Sequence, residues 1–222
     1  SNTSCVARVR PARRNQTVVN KTQAQPEAHQ GQRIGLLGGS FNPAHHGHRE
    51  ISEHALTTLA LDQIWWLVSP QNPLKDTADM APFADRLASA NSIAADSAKA
   101  SQIKVSDIEQ ELGTRYSIDT VTALRQRHTD EHFVWIIGAD NLAQMPDWQR
   151  WQDLMEAVPI AVFDRPGYTR KALSGDAARL FATARLDPDQ RQNLVTAPPP
   201  AWIFLEEVQN PVSATEIRTN GS

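Results

Sequence analysis

The stretch Gly38-Gly39-Ser40-Phe41-Asn42-Pro43-Ala44-His45-His46-Gly47-His48 concentrates more chemistry than any other part of the chain. Its two glycines let a ligand approach the backbone closely and accept positive φ without a Cβ penalty. A helical pattern begins just after them, and free N–H groups at a helix start offer partial positive charge to an anion. His45 and His48, three apart, can place two imidazoles on one side, both able to donate to the same phosphate. Three histidines within four residues also raise the prospect of zinc. One face supplies two ligands at most, however, and no obvious Cys or His partner follows. A plain strand-to-helix turn is the third reading. The spacing is neither G-x-x-x-x-G-K-[ST] nor G-x-G-x-x-G, so a phosphate held here is held differently from those motifs.

The elements that must position this loop are short and alternate in kind. Ile34-Gly35-Leu36-Leu37 is an apolar run entering the glycines, as a buried strand would. From His46 to Leu61, Ile51, Ala55, Leu56 and Leu59 recur at helical spacing. Gln63–Val68 reads as strand, stopped by Ser69-Pro70. Residues 84–100 read as helix, Ile103–Ile108 as strand and Ser117–His128 as helix. Phe133–Ile137 is the clearest buried strand. Val158–Phe163 is another, followed by Asp176–Leu186 as helix and Trp202–Leu205 as strand. Apolar strands alternating with helices predict an α/β fold, a doubly wound, mainly parallel sheet with helices on both faces. Ligands in such sheets sit beyond the carboxyl ends of the strands, where the glycine loop falls.

Composition narrows the class. Over 222 residues the chain carries 22 Lys and Arg against 25 Asp and Glu, a net charge of −3, which argues against bulk attraction to nucleic acid or an anionic membrane. A single cysteine, Cys5, excludes a disulfide scaffold or a cysteine-rich zinc site and suits a reducing compartment. No apolar run approaches the ~18 residues a membrane span requires. Residues 1–31 are set apart: Arg8, Arg10, Arg13, Arg14 and Lys21 oppose Glu27 alone, giving +4 against −7 for the rest. They contain no Leu, Ile, Phe, Tyr or Trp with which to offset the entropy of ordering. The expected organisation is a disordered basic tail over 1–31, serving a partner, targeting or nothing, and one domain over 32–222.

The glycine–histidine stretch resembles the G-G-x-F-[DN]-P-x-H-x-G-H signature of a nucleotidyltransferase superfamily whose H-x-G-H motif is related to that of class I aminoacyl-tRNA synthetases. Further segments resemble those of bacterial nicotinate-nucleotide adenylyltransferases. Arg115-Tyr116-Ser117-Ile118-Asp119-Thr120 is similar to S-Y-[ST]-x-D-T. Ile137-Gly138-Ala139-Asp140 with Trp148 is similar to I-G-x-D…W, and Arg165-Pro166-Gly167-Tyr168 to R-P-G-Y. Val212-Ser213-Ala214-Thr215-Glu216-Ile217-Arg218 is similar to the terminal I-S-[SA]-T-x-I-R. Five motifs in the family's order span residues 33–218.

The resemblance implies a Rossmann-like fold and transfer of AMP from ATP to nicotinate mononucleotide, giving deamido-NAD and pyrophosphate in NAD biosynthesis. By the same likeness His45, His48 and Lys75 are the catalytic donors to phosphate. The backbone of Gly38, Gly39, Ser40 and Phe41 meets the nucleotides, and Ser213, Thr215 and Arg218 add phosphate contacts. Ser213 and Glu216 also have the spacing of a helix capping box, which accounts for them without a ligand. Asp140 is implied to accept ribose hydroxyls and Trp148 to stack on the pyridine ring. Thr120 is implied to help read the nicotinate carboxylate. Arg165 is implied to contact phosphate or carboxylate, a surface ion pair being its alternative. Mg²⁺ is expected with ATP, bridging its phosphates, and no metal site built by the protein. The expected setting is cytoplasmic, as a monomer or homo-oligomer. Alternatives are another acceptor (nicotinamide mononucleotide or phosphopantetheine) or a non-catalytic nucleotide sensor on the same scaffold.

Overall fold

A computed structural model describes residues 31–70 and 80–206. Its centre is a six-stranded sheet of β1 (Arg33–Gly39), β2 (Gln63–Val68), β3 (Ile103–Ser106), β4 (His132–Gly138), β5 (Ile160–Phe163) and β6 (Trp202–Leu205). The spatial order is β3-β2-β1-β4-β5-β6 and every pairing is parallel. Leu36 of β1 lies opposite Trp65 on one side and Trp135 on the other. This is the Rossmann order, with its reversal between β1 and β4. The sheet is wholly parallel among the described residues, where a mainly parallel one was expected.

Alternate side chains of each strand feed two cores. Leu37, Ile64, Trp66, Val68 and Ile136 face α1 (His46–Thr58) and α2 (Phe83–Ala95), which contribute Ala55, Leu56, Ala90 and Ala94, with Leu59 just past the end of α1. Leu36, Trp65, Trp135, Ile137 and Ile160 face the opposite layer. There α4 (Ser117–Arg127), α5 (Ala139–Gln144) and α6 (Trp151–Ala157) supply Val121, Leu124, Leu142, Leu154 and Met155. Fully burying each Val, Leu, Ile or Met among them stabilises the fold by about 1.5–3 kcal/mol. Strands covered on both faces are why their sequence reads as continuous apolar runs rather than alternating ones.

Several boundaries differ from the expected ones for identifiable reasons. The first helix ends at Thr58 because the chain closes in a Schellman turn: Leu61 N–H donates to the Leu56 carbonyl and Ala60 N–H to that of Thr57. Ala60, at φ 51°, occupies the left-handed position usually held by glycine, so no glycine marks the stop. The second helix ends at Ala95, where Ser97 turns away to donate its hydroxyl to Glu53 Oε1 at 2.6 Å. β3 stops at Ser106, whose Oγ accepts from Ile108 N–H at 3.2 Å and opens the short α3 (Ile108–Leu112), closed by Gly113 at φ 65°. The expected strand over Val158–Phe163 starts at Ile160. After α7 (Thr169–Leu173), the expected helix Asp176–Leu186 is only α8 (Asp176–Leu180) and a 3₁₀ turn. The expectations for residues 1–30, for Lys75 and for the turn holding Ser213, Thr215, Glu216 and Arg218 lie outside the described residues.

Candidate active site

β1 delivers Gly38 and Gly39 to the carboxyl edge of the sheet beside β4, at the reversal of strand order. A Cβ on Gly38 would stand 2.9 Å from two ring carbons of the buried Trp135, so close packing requires glycine there. The loop then folds inward. Phe41 is 1% exposed at φ 46°, a conformation a non-glycine residue holds only when its surroundings enforce it. Its ring stacks on Trp66 with centroids 5.3 Å apart and lies 4.6 Å from the ring of His48. Trp66 Nε1 donates to Ser52 Oγ at 2.8 Å, and Ser52 Oγ donates to the His48 carbonyl at 2.7 Å. The first turn of α1 is thereby fastened to the sheet beneath it.

His45 and His48 form a capping box built from imidazoles. Gly47 N–H donates to His45 Nδ1 at 3.2 Å, and His45 N–H donates to His48 Nδ1 at 3.2 Å. The rings lie 3.9 Å apart between centroids. A neutral imidazole that accepts at Nδ1 carries its proton at Nε2. The backbone therefore fixes which nitrogen of His48 carries its proton. Burial, then His45, then Arg165 hold His48 down to about 3, against the backbone bond to His45. His48 is accordingly neutral throughout the physiological range.

Across the switch point, Asp140 sits in the first turn of α5. Its Oδ2 accepts from Arg165 Nη1 at 2.5 Å, while Oδ1 is buried and has no hydrogen-bond partner among the described residues. A buried carboxylate oxygen in this state has a hydrogen bond still unmade. Arg165 follows β5, where the Asp164 carboxylate accepts from its backbone N–H and from Thr169 Oγ1 and Gly167 turns at φ 84°. Because Arg165 also acts on His48, the structure brings His45, His48, Asp140 and Arg165 to one end of the sheet.

Trp148 follows the 3₁₀ turn Met145–Asp147 and is half-buried against the core on the α5 side. The loop beyond it is tied to α4 by Arg150, which pairs with Asp119 at 3.0 Å and Asp153 at 2.8 Å. Thr120 is fully buried. Its hydroxyl lies 2.8 Å from Thr114 Oγ1 and 3.4 Å from both Glu109 Oε1 and the Tyr116 carbonyl. Whatever part Thr120 takes in acceptor recognition runs through the turn it braces, because its side chain has no open face.

Two buried charges were not singled out from sequence. Arg86 of α2 is 2% exposed and donates to the carbonyls of Ser40, Ser69, Pro70 and Ala81 at 2.6–3.0 Å. Desolvation lowers its pKa. Glu109 of α3 is 7% exposed and accepts hydrogen bonds from Ser69 and Thr120 side chains. Burial nevertheless raises its carboxyl to about 7. The available signal for Arg86 is its place on the apolar side of α2, four residues before Ala90 and eight before Ala94.

Comparison with known proteins decides the family. A family model described as cytidylyltransferase-like matches residues 36–220. A probable nicotinate-nucleotide adenylyltransferase of Parvibaculum lavamentivorans is 50% identical over 191 residues, covering 86% of this chain and 93% of the relative. The chain belongs to the nicotinate-nucleotide adenylyltransferases. A second relative of that name, from Rhizobium johnstonii, is 45% identical over 197 residues, covering 89% and 96% of the two chains. The adenylyltransferase also shares its fold with the solved Plasmodium falciparum nicotinic acid mononucleotide adenylyltransferase complexed with NaAD. That match has a TM-score of 0.63 at 17% identity, covering 85% of this chain and 83% of that one. The glycine–histidine loop, Asp140 and Arg165 therefore line the switch point of a nucleotidyltransferase.

Proposed function

We propose that the enzyme transfers AMP from ATP to nicotinate mononucleotide, with the paired imidazoles of His45 and His48 as donors to the phosphates of ATP. A phosphate oxygen of the mononucleotide bonds to the α-phosphorus in line as the bond to the bridging oxygen breaks. Deamido-NAD forms and pyrophosphate leaves with the electron pair. No covalent enzyme intermediate is needed, so catalysis consists of positioning and of stabilising negative charge. The observation that carries this reading is the capping box: both Nδ1 atoms accept from backbone N–H groups, so the Nε2 edge is the one from which each ring can act as a donor to a phosphate, both at one helix start. Such donors, fixed before the reaction, need no reorganisation as charge develops.

Asp140 takes a ribose hydroxyl, and Arg165 reaches phosphate or carboxylate from beside it. Trp148 supplies a face for the pyridine ring. Lys75 and the residues Ser213, Thr215 and Arg218 complete the phosphate contacts. Mg²⁺ would accompany ATP and would offset the negative charge of its phosphates. The enzyme works in the cytoplasm on this reading; among the described residues no helix is long and apolar enough to cross a membrane.

The test is pyrophosphate release from ATP and Mg²⁺ with nicotinate mononucleotide and nicotinamide mononucleotide in parallel. Turnover at least tenfold faster with the acid is expected. Equal rates would overturn acid recognition, and release with neither would overturn the acceptor assignment, phosphopantetheine then being the next acceptor to try.

A further inference from the structure

Ser69, the first residue beyond β2, has every polar group committed to a different segment. Its N–H donates to the Gly39 carbonyl at 2.9 Å, its carbonyl accepts from Arg86 Nη1 at 2.7 Å, and its hydroxyl bonds the Glu109 carboxyl. Arg86 extends the chain in one direction to the Ser40 carbonyl, inside the glycine loop, at 2.6 Å. Glu109 extends it in the other to Thr120, in the first turn of α4, at 3.4 Å. The path runs Ser40–Arg86–Ser69–Glu109–Thr120. It joins the loop that faces the donor nucleotide to the segment assigned to the acceptor.

We propose that Arg86 and Glu109, acting through Ser69, are positioning residues that set the separation between the ATP-holding loop and the acceptor-facing turn. The inference rests on the adenylyl-transfer reading above. In-line attack requires two separately bound phosphates to meet within about 3–3.5 Å, and an error of 1 Å costs on the order of a hundredfold in rate. Hydrogen bonds from a buried guanidinium to four carbonyls hold that separation more rigidly than apolar contact, because they are directional. Among the described residues no carboxylate pairs with Arg86, and its partners are the backbone of the loops themselves. A buried arginine arranged this way orients three segments at once. Glu109 is likewise kept in an environment that disfavours its charge, while Ser69 and Thr120 bond to it.

The experiment compares Ser69→Ala, Glu109→Ala, Glu109→Gln and Arg86→Lys with wild type, measuring kcat and both KM values well below each Tm. Ser69→Ala and Glu109→Ala are expected to lower kcat about tenfold, with each KM within twofold, since each substrate still meets its own half-site. Arg86→Lys should lower kcat about a hundredfold. Glu109→Gln keeps an acceptor for the Ser69 hydroxyl and should restore kcat to within threefold of wild type. If Arg86→Lys fails to fold, the Ala and Gln variants at 109 still decide. Unchanged kcat in Ser69→Ala and Glu109→Ala, or a loss confined to KM, would overturn the proposal. Wild-type turnover is read first with whichever acceptor the enzyme uses. Its failure with nicotinate mononucleotide counts against the function reading, whereas a missing variant effect in an active enzyme counts against the positioning path alone.

Discussion

His48 is a histidine whose environment keeps the proton off one nitrogen and on the other. The backbone N–H of His45 occupies Nδ1, and burial beside His45 holds the ring down to about 3. In the proposed transfer its contribution is therefore a hydrogen bond from a neutral donor, not a positive charge. Replacing His48 with Ala should lower kcat by roughly 10²–10³, the usual cost of one preorganised donor to developing oxyanion charge. Nitrogen chemical shifts of His48 in the free enzyme should show the Nε2–H tautomer unchanged from pH 5 to 8. A ring that titrates near 6.5 would overturn the neutral-donor mechanism. The types and spacing of His45 and His48 were legible in the sequence, and so was their pairing. Their reciprocal cap was not, because a capping box is ordinarily written with Ser or Thr and Glu or Gln. Thr120 shows the opposite: the motif places it near the acceptor, but only burial shows that its hydroxyl is already committed.

At the scale of elements, β1 and the loop after it act as one piece, and the two glycines between them do different work. A methyl on Gly38 meets Trp135 ring carbons at 2.9 Å, and Trp135 is 2% exposed with no room to retreat. On Gly39 the nearest atoms belong to the Phe41 ring at 3.5 Å, an ordinary contact. Gly38→Ala should thus cost roughly 1–3 kcal/mol, the usual cost of overpacking a filled core. Gly39→Ala should leave Tm within about 1 °C, and differential scanning calorimetry of the pair checks the contrast. Equal losses would mean that loop flexibility, not the Trp135 contact, selects glycine at both positions. The strands were legible because strands buried on both faces write long apolar runs. The short α3, α5 and α7 were not, since five or six residues hold too little periodicity to separate from a turn. The length of α1 was hidden by Ala60 standing where glycine would have signalled the end.

For the molecule as a whole, two buried groups tie stability to pH in opposite senses. The folded pKa of His48 lies below its unfolded value of 6.5, so its contribution is present above 6.5 and fades as pH falls toward 3. Glu109 is raised from 4.5 to about 7, so its contribution is complete below 4.5 and is lost as pH rises through 7. Glu109→Gln removes the second dependence. At pH 8 it should raise Tm by about 5 °C, corresponding to roughly 2–3 kcal/mol, with no gain at pH 4.5. Equal shifts at both values would detach the effect from ionisation. The strand order, with β1 between β2 and β4, carries a different consequence for a chain leaving the ribosome. Ile34 pairs with Gln63 on one side and with Phe133 on the other, so the first of these strands to be made waits for the fourth to cover its second edge. Until residues 132–138 emerge, β1 presents a bare apolar edge of the kind that recruits other chains. Slow translation over the span from β2 to β4 thus lengthens the time for which that edge stays uncovered.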